Sequence, residues 1–228
     1  MLVKWGSIIV KGSGKLGGHV FSSGPSGASV HTLAKARNPQ TKYQSDIRSR
    51  FTRLTQGWRD LTEAQRESWY DAESTFSRVN RFGDVISLSG KNLYESLNSN
   101  RQIIGLSTLD LAPMPSVIPE FTVDSVVIFM SDERIIIDGN FVIGQTYVIV
   151  ATAGLSQGVR NFKNEIRNIE IGEGSLTGNV VGVGASNYNA YVDKFGTPVD
   201  GAKIFIGVYS VSLSGQKSPV SMVQAVVA

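Results

Sequence analysis

The sequence contains no cysteine and only two histidines, so the side chains that most often carry nucleophilic catalysis or bind metals are scarce. Without cysteine, the chain forms neither disulfide bonds nor thiolate zinc sites. Charged residues make up only 18% of the 228 residues, below the usual quarter. No apolar run approaches the roughly 18 residues of a transmembrane helix, and the run at residues 7–10 is too short for a signal peptide. We therefore expect a soluble protein without membrane contact.

Charge is distributed unevenly along the chain. Residues 1–110 contain 15 Lys and Arg against 9 Asp and Glu, whereas residues 111–228 contain 7 against 10. The first 45 residues contain six basic residues and no acidic one. Such a segment suits an acidic or phosphate-bearing partner. Because the excess is modest beside that of dedicated DNA-binding proteins, we favour a basic tail that is neutralised by its own acidic half or by a sister subunit.

Glycine is abundant, and seven of the 24 glycines lie between positions 6 and 27. Short β-like runs interrupt this segment at residues 7–11, 19–22 and 29–33. It holds too few apolar residues to form a core of its own. We predict that residues 1–37 form an extended basic arm with one or two hairpins.

Residues 38–105 have helical periodicity and predict a small helical module. The first apolar stripe recurs at steps of three and four residues and comprises Tyr43, Ile47, Phe51, Leu54 and Trp58. It predicts a helix over 41–58 with Thr41 as its N-cap. Thr62 and Gln65 form a predicted capping box for a second helix. Its predicted apolar face comprises Trp69, Ala72 and Phe76.

A third, weaker helix is predicted from about Lys91 to Gln102, with Gly105 as its terminator. Its predicted inward residues are Leu93, Tyr94 and Leu97. The aromatic residues of all three helices are predicted to form a core. Because that core is small, part of the first stripe is also a candidate contact between subunits.

Three prolines within residues 106–119 favour extended backbone, so we predict a linker there. Residues 120–228 have an all-β pattern, with Asp138-Gly139 as a predicted tight turn. Seven strands are predicted: Val123–Met130, Arg134–Asp138, Thr146–Thr152, Ile166–Ile171, Asn179–Val183, Lys203–Ser212 and Val220–Val227. Seven short strands in about 109 residues indicate an Ig-like antiparallel β-sandwich. The predicted fold class is therefore α+β, with loops such as 153–161 and 184–189 at the tips of the sandwich.

Glycines at positions 12, 14 and 17 match the dinucleotide fingerprint G-x-G-x-x-G. The context does not fit, because no amphipathic helix follows and no acidic residue precedes Asp46 to bind a ribose. Leu16 also stands where a phosphate-binding loop needs Ser or Thr. We interpret these residues as hairpin glycines.

The histidines, His19 and His31, both lie in the glycine-rich arm, which offers no rigid surroundings for acid–base chemistry. Two carboxylate pairs are predicted to lie in solvated turns: Asp132 with Glu133, and Glu170 with Glu173. We therefore assign no catalytic, cofactor-binding or metal-binding residue, and we expect no enzymatic activity.

The candidate contacts to a neighbouring subunit or an acidic partner are basic residues of the arm and the first helix. They are Lys11, Lys15, Lys35, Arg37, Lys42, Arg48, Arg50, Arg53 and Arg59. On a helical wheel those of the helix flank both sides of the apolar stripe, as on a solvated surface or between acidic neighbours. Any DNA contact would be to phosphates and would not be sequence-specific.

Two stretches resemble known families. The first comprises Asn38-Pro39-x-Thr41-x-x-Gln44, Arg48-x-x-Phe51, Trp58, Leu61-Thr62-x-x-Gln65-Arg66-x-x-Trp69, Ser89-Gly90-x-Asn92-x-Tyr94 and Asn98. It resembles an N-terminal module of phage and prophage structural proteins, especially of Bacteroidetes and their crAss-like phages. The second comprises residues 204–211 and Ser214-Gly215-Gln216-Lys217-Ser218-Pro219. It is similar to the end of fibronectin type III-like domains, although the tryptophan usual on their second strand is absent.

The resemblance implies a virion component of the neck or tail, soluble in the host cytoplasm before assembly. Such proteins form homo-oligomeric rings, commonly of about twelve copies near a portal. The implied partners are portal, ring or tail proteins, and the arm would add strands to a neighbour or clamp it. Two alternatives remain: a fibre, decoration or host-binding module that uses the sandwich, and a packaging protein that contacts DNA through its basic half.

Overall fold

A computed structural model describes the chain except for residues 1, 4–11, 25–26, 35–37, 39, 81, 130–132, 143, 160–164, 174–179, 182–184 and 228. The chain divides into two compact units, residues 1–95 and 96–228. The division lies inside the third helix and precedes the proline-containing segment 106–119, which has no regular secondary structure. No helix among the described residues combines the length and apolar character of a membrane span.

The first unit begins with four short strands: β1 (Leu2–Val3), β2 (Gly14–Leu16), β3 (His19–Gly24) and β4 (Gly27–Thr32). They pair antiparallel in the order β1-β4-β3-β2. Gly17 has a φ of 56° in the turn between β2 and β3, a left-handed conformation that glycine adopts without strain. The hairpin interpretation of these glycines is confirmed. The predicted run at 7–11 lies outside the described residues, and an extended arm stays a prediction.

Helix α1 (Lys42–Asp60) begins at the predicted cap, where the Thr41 hydroxyl accepts a hydrogen bond from the Gln44 amide. Helix α2 (Glu63–Asp71) begins with the predicted capping box: the Thr62 hydroxyl accepts from the Gln65 amide, and the Gln65 side chain accepts from the Thr62 amide. Both N-termini are confirmed. The predicted length of α2 is wrong, because the chain leaves the helix for turns at residues 72–76. Ser and Thr at 74–75 favour such turns over helix.

A short hairpin, β5 (Arg78–Val79) with β6 (Val85–Ile86), precedes helix α3 (Gly90–Ile103). Gly105 ends α3 as predicted, with a φ of 76°. The core of the first unit contains three packed aromatic rings: Trp69 and Tyr94 lie edge to face, with ring centroids 5.3 Å apart, and the Trp58 ring centroid lies 5.4 Å from that of Tyr94. A side chain at Gly57 would collide with the Tyr94 hydroxyl, so glycine permits this approach.

The predicted core is wrong for the beginning of α1. Leu54 and Trp58 are buried, whereas Tyr43 is 40% and Phe51 45% exposed. The helix buries residues only in its C-terminal half. The N-terminal half therefore keeps an apolar stripe in contact with solvent.

The second unit contains two antiparallel sheets. Their strands are β7 (Thr122–Phe129), β8 (Arg134–Asn140), β9 (Thr146–Ala151), β10 (Arg167–Glu173), β11 (Val180–Val181), β12 (Lys203–Val211) and β13 (Ser221–Val226). One sheet has the order β11-β8-β7 and the other β10-β9-β12-β13. A strand lies at each of the seven predicted positions. The predicted turn at Asp138-Gly139 is wrong: both residues lie within β8, and a side chain at Gly139 would collide with the Thr122 carbonyl across the strand pair.

One core cluster joins the two sheets. It includes Val126 and Ile137 from the three-stranded sheet and Ile149 and Ile206 from the four-stranded sheet. The all-β prediction is wrong here, because helix α4 (Ala185–Phe195) lies where residues 184–189 were predicted to form a loop. Its buried Tyr188 and Tyr191 belong to the same core, with Val192 and Phe195 packed against it. These four apolar residues have helical spacing and are the signal for α4.

Candidate functional site

The candidate site is the surface of α1, which holds most of the predicted basic contacts. Lys42, Arg48, Arg53 and Arg59 are exposed, and Arg50 is partly exposed. Lys15 is exposed on β2. Lys11, Lys35 and Arg37 lie outside the described residues. Five of the nine predicted contacts are thus brought onto one helix.

Among the described residues, these five cations of α1 form no ion pair. In the part of the chain that the structure describes, ion pairs join Arg66 to Glu63 and Lys91 to Glu95, and none involves the five. The Arg48 guanidinium instead donates a hydrogen bond of 2.9 Å to the Asn38 side-chain oxygen. The helix therefore presents an excess of positive charge to solvent, which favours an anionic partner.

One side of the N-terminal half of α1 forms an open depression of about 520 Å³. Its lining residues are polar or basic: Gln40, Ser45, Arg48, Ser49, Thr52 and Arg53. Two guanidinium groups with neighbouring hydroxyls can bind carboxylate or phosphate oxygens through charge-assisted hydrogen bonds. This depression can therefore bind an anionic group.

The two histidines cannot act together. His19 on β3 pairs with Thr32 on β4, whereas His31 on β4 pairs with Val20 on β3. Adjacent positions of a strand point to opposite faces, so the two imidazoles lie on opposite faces of the sheet. Both are exposed. Among the described residues no group of three or more His, Asp and Glu side chains is placed to hold a metal ion.

The structure bears on the turns that were predicted for the two carboxylate pairs. Asp132 lies outside the described residues, and Glu133 occupies a turn with a φ of 51°. The turn predicted for Glu170 and Glu173 is wrong, because both lie within β10, which pairs with β9 along its length. The strand pairing overrides the local turn signal of the neighbouring glycines.

Sequence reasoning missed a buried cation at the end of α3. Arg101 donates hydrogen bonds to the carbonyls of Ser107 and Leu213, and burial lowers its pKa from the ordinary value. Asn100 donates to the Gly215 carbonyl at 2.8 Å, and Ser116 donates its amide to the Gln216 side chain at 2.7 Å. These bonds hold the β12–β13 loop in place. In the sequence, the only local indication that Arg101 would bond backbone carbonyls was its place in the last turn of a predicted helix.

Comparison with known protein families, curated proteins and solved structures finds no match to this chain.

Proposed function

We propose that this chain is a non-enzymatic structural protein of a tailed-phage virion. In this proposal it forms a homo-oligomeric ring in the neck or tail near the portal, and its N-terminal strands contact a neighbouring subunit. Its partners are further copies of itself and portal, ring or tail proteins. The family resemblance of residues 38–100 supplies the phage context.

The observation that carries the assembly role is the sheet formed by β1–β4. None of its side chains described within residues 12–34 is buried. A sheet without a buried face has little to offset the entropy of ordering its backbone, and small isolated sheets are marginal in water. Among the described residues β1 and β2 are the outer strands of this sheet, and an outer strand offers backbone groups to which another chain can add a strand. A neighbouring subunit supplies the missing contact area.

The residues of the first resemblance have roles that support a defined helical module. Asn38 accepts from Arg48, Thr41 and Thr62 cap helices, and Trp69 is fully buried. Asn98 is buried and bonds Leu109 twice: its oxygen accepts from the amide at 2.7 Å, and its nitrogen donates to the carbonyl at 3.2 Å. The pattern therefore coincides with positions at which the fold needs a particular side chain.

We also propose that residues 120–228 form an Ig-like sandwich of the fibronectin type III kind, elaborated by α4. Three- and four-stranded antiparallel sheets share one core, and the chain passes between them after β8, β10 and β11. Such crossings are typical of Greek-key sandwiches. Residues 204–211 of the second resemblance lie in β12, which pairs with β13, a strand that begins two residues after Pro219. Sandwiches of this kind serve as spacers or subunit contacts in phage particles.

The assembly role is tested by the mass of the purified chain in solution and by its presence in purified virions. We expect a defined oligomer and a ring in particle reconstructions. Deletion of residues 1–34 is expected to abolish assembly. A chain that is strictly monomeric and absent from purified virions would contradict the proposal.

The uncompensated cations of α1 also favour a second role, non-specific contact with packaged DNA. Binding by Lys and Arg to phosphates releases counterions, so the affinity should fall steeply as salt is added. Titration of labelled duplex DNA at several salt concentrations measures this slope. An affinity that does not change with salt, or no binding at low salt, would reject the DNA role.

A further inference from the structure

An open depression of about 570 Å³ lies in the second unit, where the end of α3, the segment 106–119 and the loop between β12 and β13 meet. Arg101 lines it, together with serines of the β12–β13 loop and apolar side chains of the segment and the loop. Among its described lining residues, Arg101 is the one that carries a charge. We call this feature the Arg101 depression.

Hydrogen bonds fix the segment 106–119 beside the rest of the second unit. Asn98 bonds the amide of Leu109 at 2.7 Å and its carbonyl at 3.2 Å. Further along, the Ser116 amide donates to the side-chain oxygen of Gln216 at 2.7 Å. The segment is thus attached at two points, so the Arg101 depression is formed before any partner binds.

Arg101 places a buried positive charge in this depression. It is only 8% exposed, and among the described residues it forms no ion pair. None of the described lining residues is acidic, and Asp110, the one acidic residue of the segment 106–119, does not line the depression. Buried charges in proteins are normally paired with an opposite charge. An anionic group supplied from outside the chain would complete this arrangement.

The guanidinium of Arg101 retains donors for such a group. It has five N–H donors, of which Nε donates to the Ser107 carbonyl and Nη1 to the Leu213 carbonyl. Both carbonyls are neutral, so they satisfy donors without cancelling the charge. The other N–H groups can form a charge-assisted pair with a carboxylate, whose oxygens match the guanidinium geometry.

The apolar lining residues indicate what accompanies this carboxylate. Met114, Val117 and Leu213 are each more than three-quarters exposed. Small ligands favour enclosed pockets, whereas an arginine surrounded by apolar side chains is typical of the centre of a protein–protein contact. Methionine adapts its shape to different partners. The group that fits is therefore an acidic side chain with apolar neighbours on another protein.

We propose that the Arg101 depression binds an Asp or Glu side chain that a partner protein presents between apolar residues. Arg101 then has two roles, because two of its N–H groups hold the β12–β13 loop and the others bind the partner's carboxylate. This surface is separate from the N-terminal sheet and from α1, on which the proposed function depends. The two proposals are therefore tested independently.

The test measures binding of a capped peptide, acetyl-Ser-Leu-Glu-Leu-Ser-amide, to the full-length chain. The peptide carries a neutral fluorophore, and fluorescence anisotropy follows its binding. We expect it to bind at least about tenfold more tightly than the same peptide with Gln in place of Glu, because the neutral amide forms no charge-assisted pair. Its affinity should also fall below about pH 4, where the glutamate carboxyl becomes protonated.

Variants of Met114 locate the binding site. Met114→Glu adds a carboxylate to the lining and should weaken binding of the Glu peptide by about tenfold through like-charge repulsion. Met114→Gln has the same size without the charge and should bind nearly as well as the wild type. Val199→Glu is the matched control, since Val199 is an exposed apolar residue of the same unit outside the depression. It should leave binding unchanged.

Arg101→Met tests the recognition of charge directly. It should bind the Glu and Gln peptides equally, because no cation remains to distinguish them. The substitution also removes two hydrogen bonds to the β12–β13 loop, so circular dichroism and thermal unfolding must show that it is folded. If it is unfolded, the Met114 variants decide the question, since Met114 is exposed and makes no demand on the fold.

Each contrary result overturns a stated part of the proposal. Equal affinity of the wild type for the Glu and Gln peptides, or no saturable binding, would show that the depression does not recognise a carboxylate. Equal weakening by Met114→Glu and Val199→Glu would place the peptide elsewhere. Displacement of the peptide by an equal concentration of sodium acetate or phosphate would mean that a free anion suffices. The oligomeric mass of the chain, which tests the proposed function, is unaffected by all of these outcomes.

Discussion

The chain contains two β regions that are stabilised in different ways. In the N-terminal sheet, no side chain described within residues 12–34 is buried, although β3 and β4 pair over six residues each. In the second unit, Ile137, Ile204, Ile206 and Val208 are completely buried between strands. Backbone pairing alone therefore does not show whether a sheet is stable within its own chain or needs contact with another chain. What differs is the apolar area removed from water, which is the main favourable term in folding.

The largest expected loss of unfolding free energy comes from a cavity in the core of the second unit. Ile206→Ala should lower the free energy of unfolding by about 3 kcal/mol, because it removes buried methylene groups and leaves a void. Val20→Ala in the N-terminal sheet should change it by less than about 0.5 kcal/mol. Urea unfolding followed by tryptophan fluorescence and circular dichroism measures both. Equal losses for the two variants would show that the N-terminal sheet has a core after all.

A smaller loss of stability, at alkaline pH, is expected from a buried tyrosine in the same core. Burial raises the pKa of Tyr191 from 10 to about 12. As the pH rises, the unfolded chain therefore loses the phenol proton of Tyr191 before the folded chain does. This group leaves the stability of the fold unchanged below pH 10 and lowers it progressively between pH 10 and 12. At pH 11 the loss from this group is about 1.4 kcal/mol.

Tyr191→Phe isolates that contribution. The variant should lose less stability than the wild type between neutral pH and pH 11, as measured by urea unfolding at each pH. Tyr70→Phe is the control, since Tyr70 is half exposed. If the pH dependence of the Tyr191→Phe variant equals that of the wild type, burial of this phenol does not govern alkaline unfolding.

The smallest expected effect on stability comes from removal of the N-terminal sheet. Deletion of residues 1–34 should change the unfolding free energy of the remaining chain by less than about 0.5 kcal/mol, because no buried side chain is described within residues 12–34. Differential scanning calorimetry measures the change. A marked fall in the unfolding temperature would mean that the sheet stabilises its own chain rather than a neighbour.

The sequence was a reliable guide where a structural signal is local. Thr41 and the pair Thr62 and Gln65 start their helices as predicted, because a cap needs only a side chain and an amide three residues away. The seven strands of the second unit also lie where alternation and turn residues predict them. The basic residues of α1 could likewise be named from the sequence, since the helix itself was predicted from its apolar stripe.

The candidate surfaces needed more than local signals. The apolar stripe predicted a helix but not that Tyr43 and Phe51 would stay exposed, which depends on how far its packing partners extend. The outer side of β7 and β8 depends on the register that places Val127 across from Ile136. A shift of one residue would reverse the direction of every side chain.

By itself, the sequence determined where most helices and strands begin, the scarcity of catalytic side chains and the basic character of the first half. The tertiary structure alone decided that Gly139 lies in a strand, that Arg101 bonds the β12–β13 loop, and which apolar residues remain on the surface. The physical reason is that caps and periodicity act over a few residues, whereas burial is set by residues distant in the chain. Exposure, and with it every surface available to a partner, is therefore a property of the folded chain.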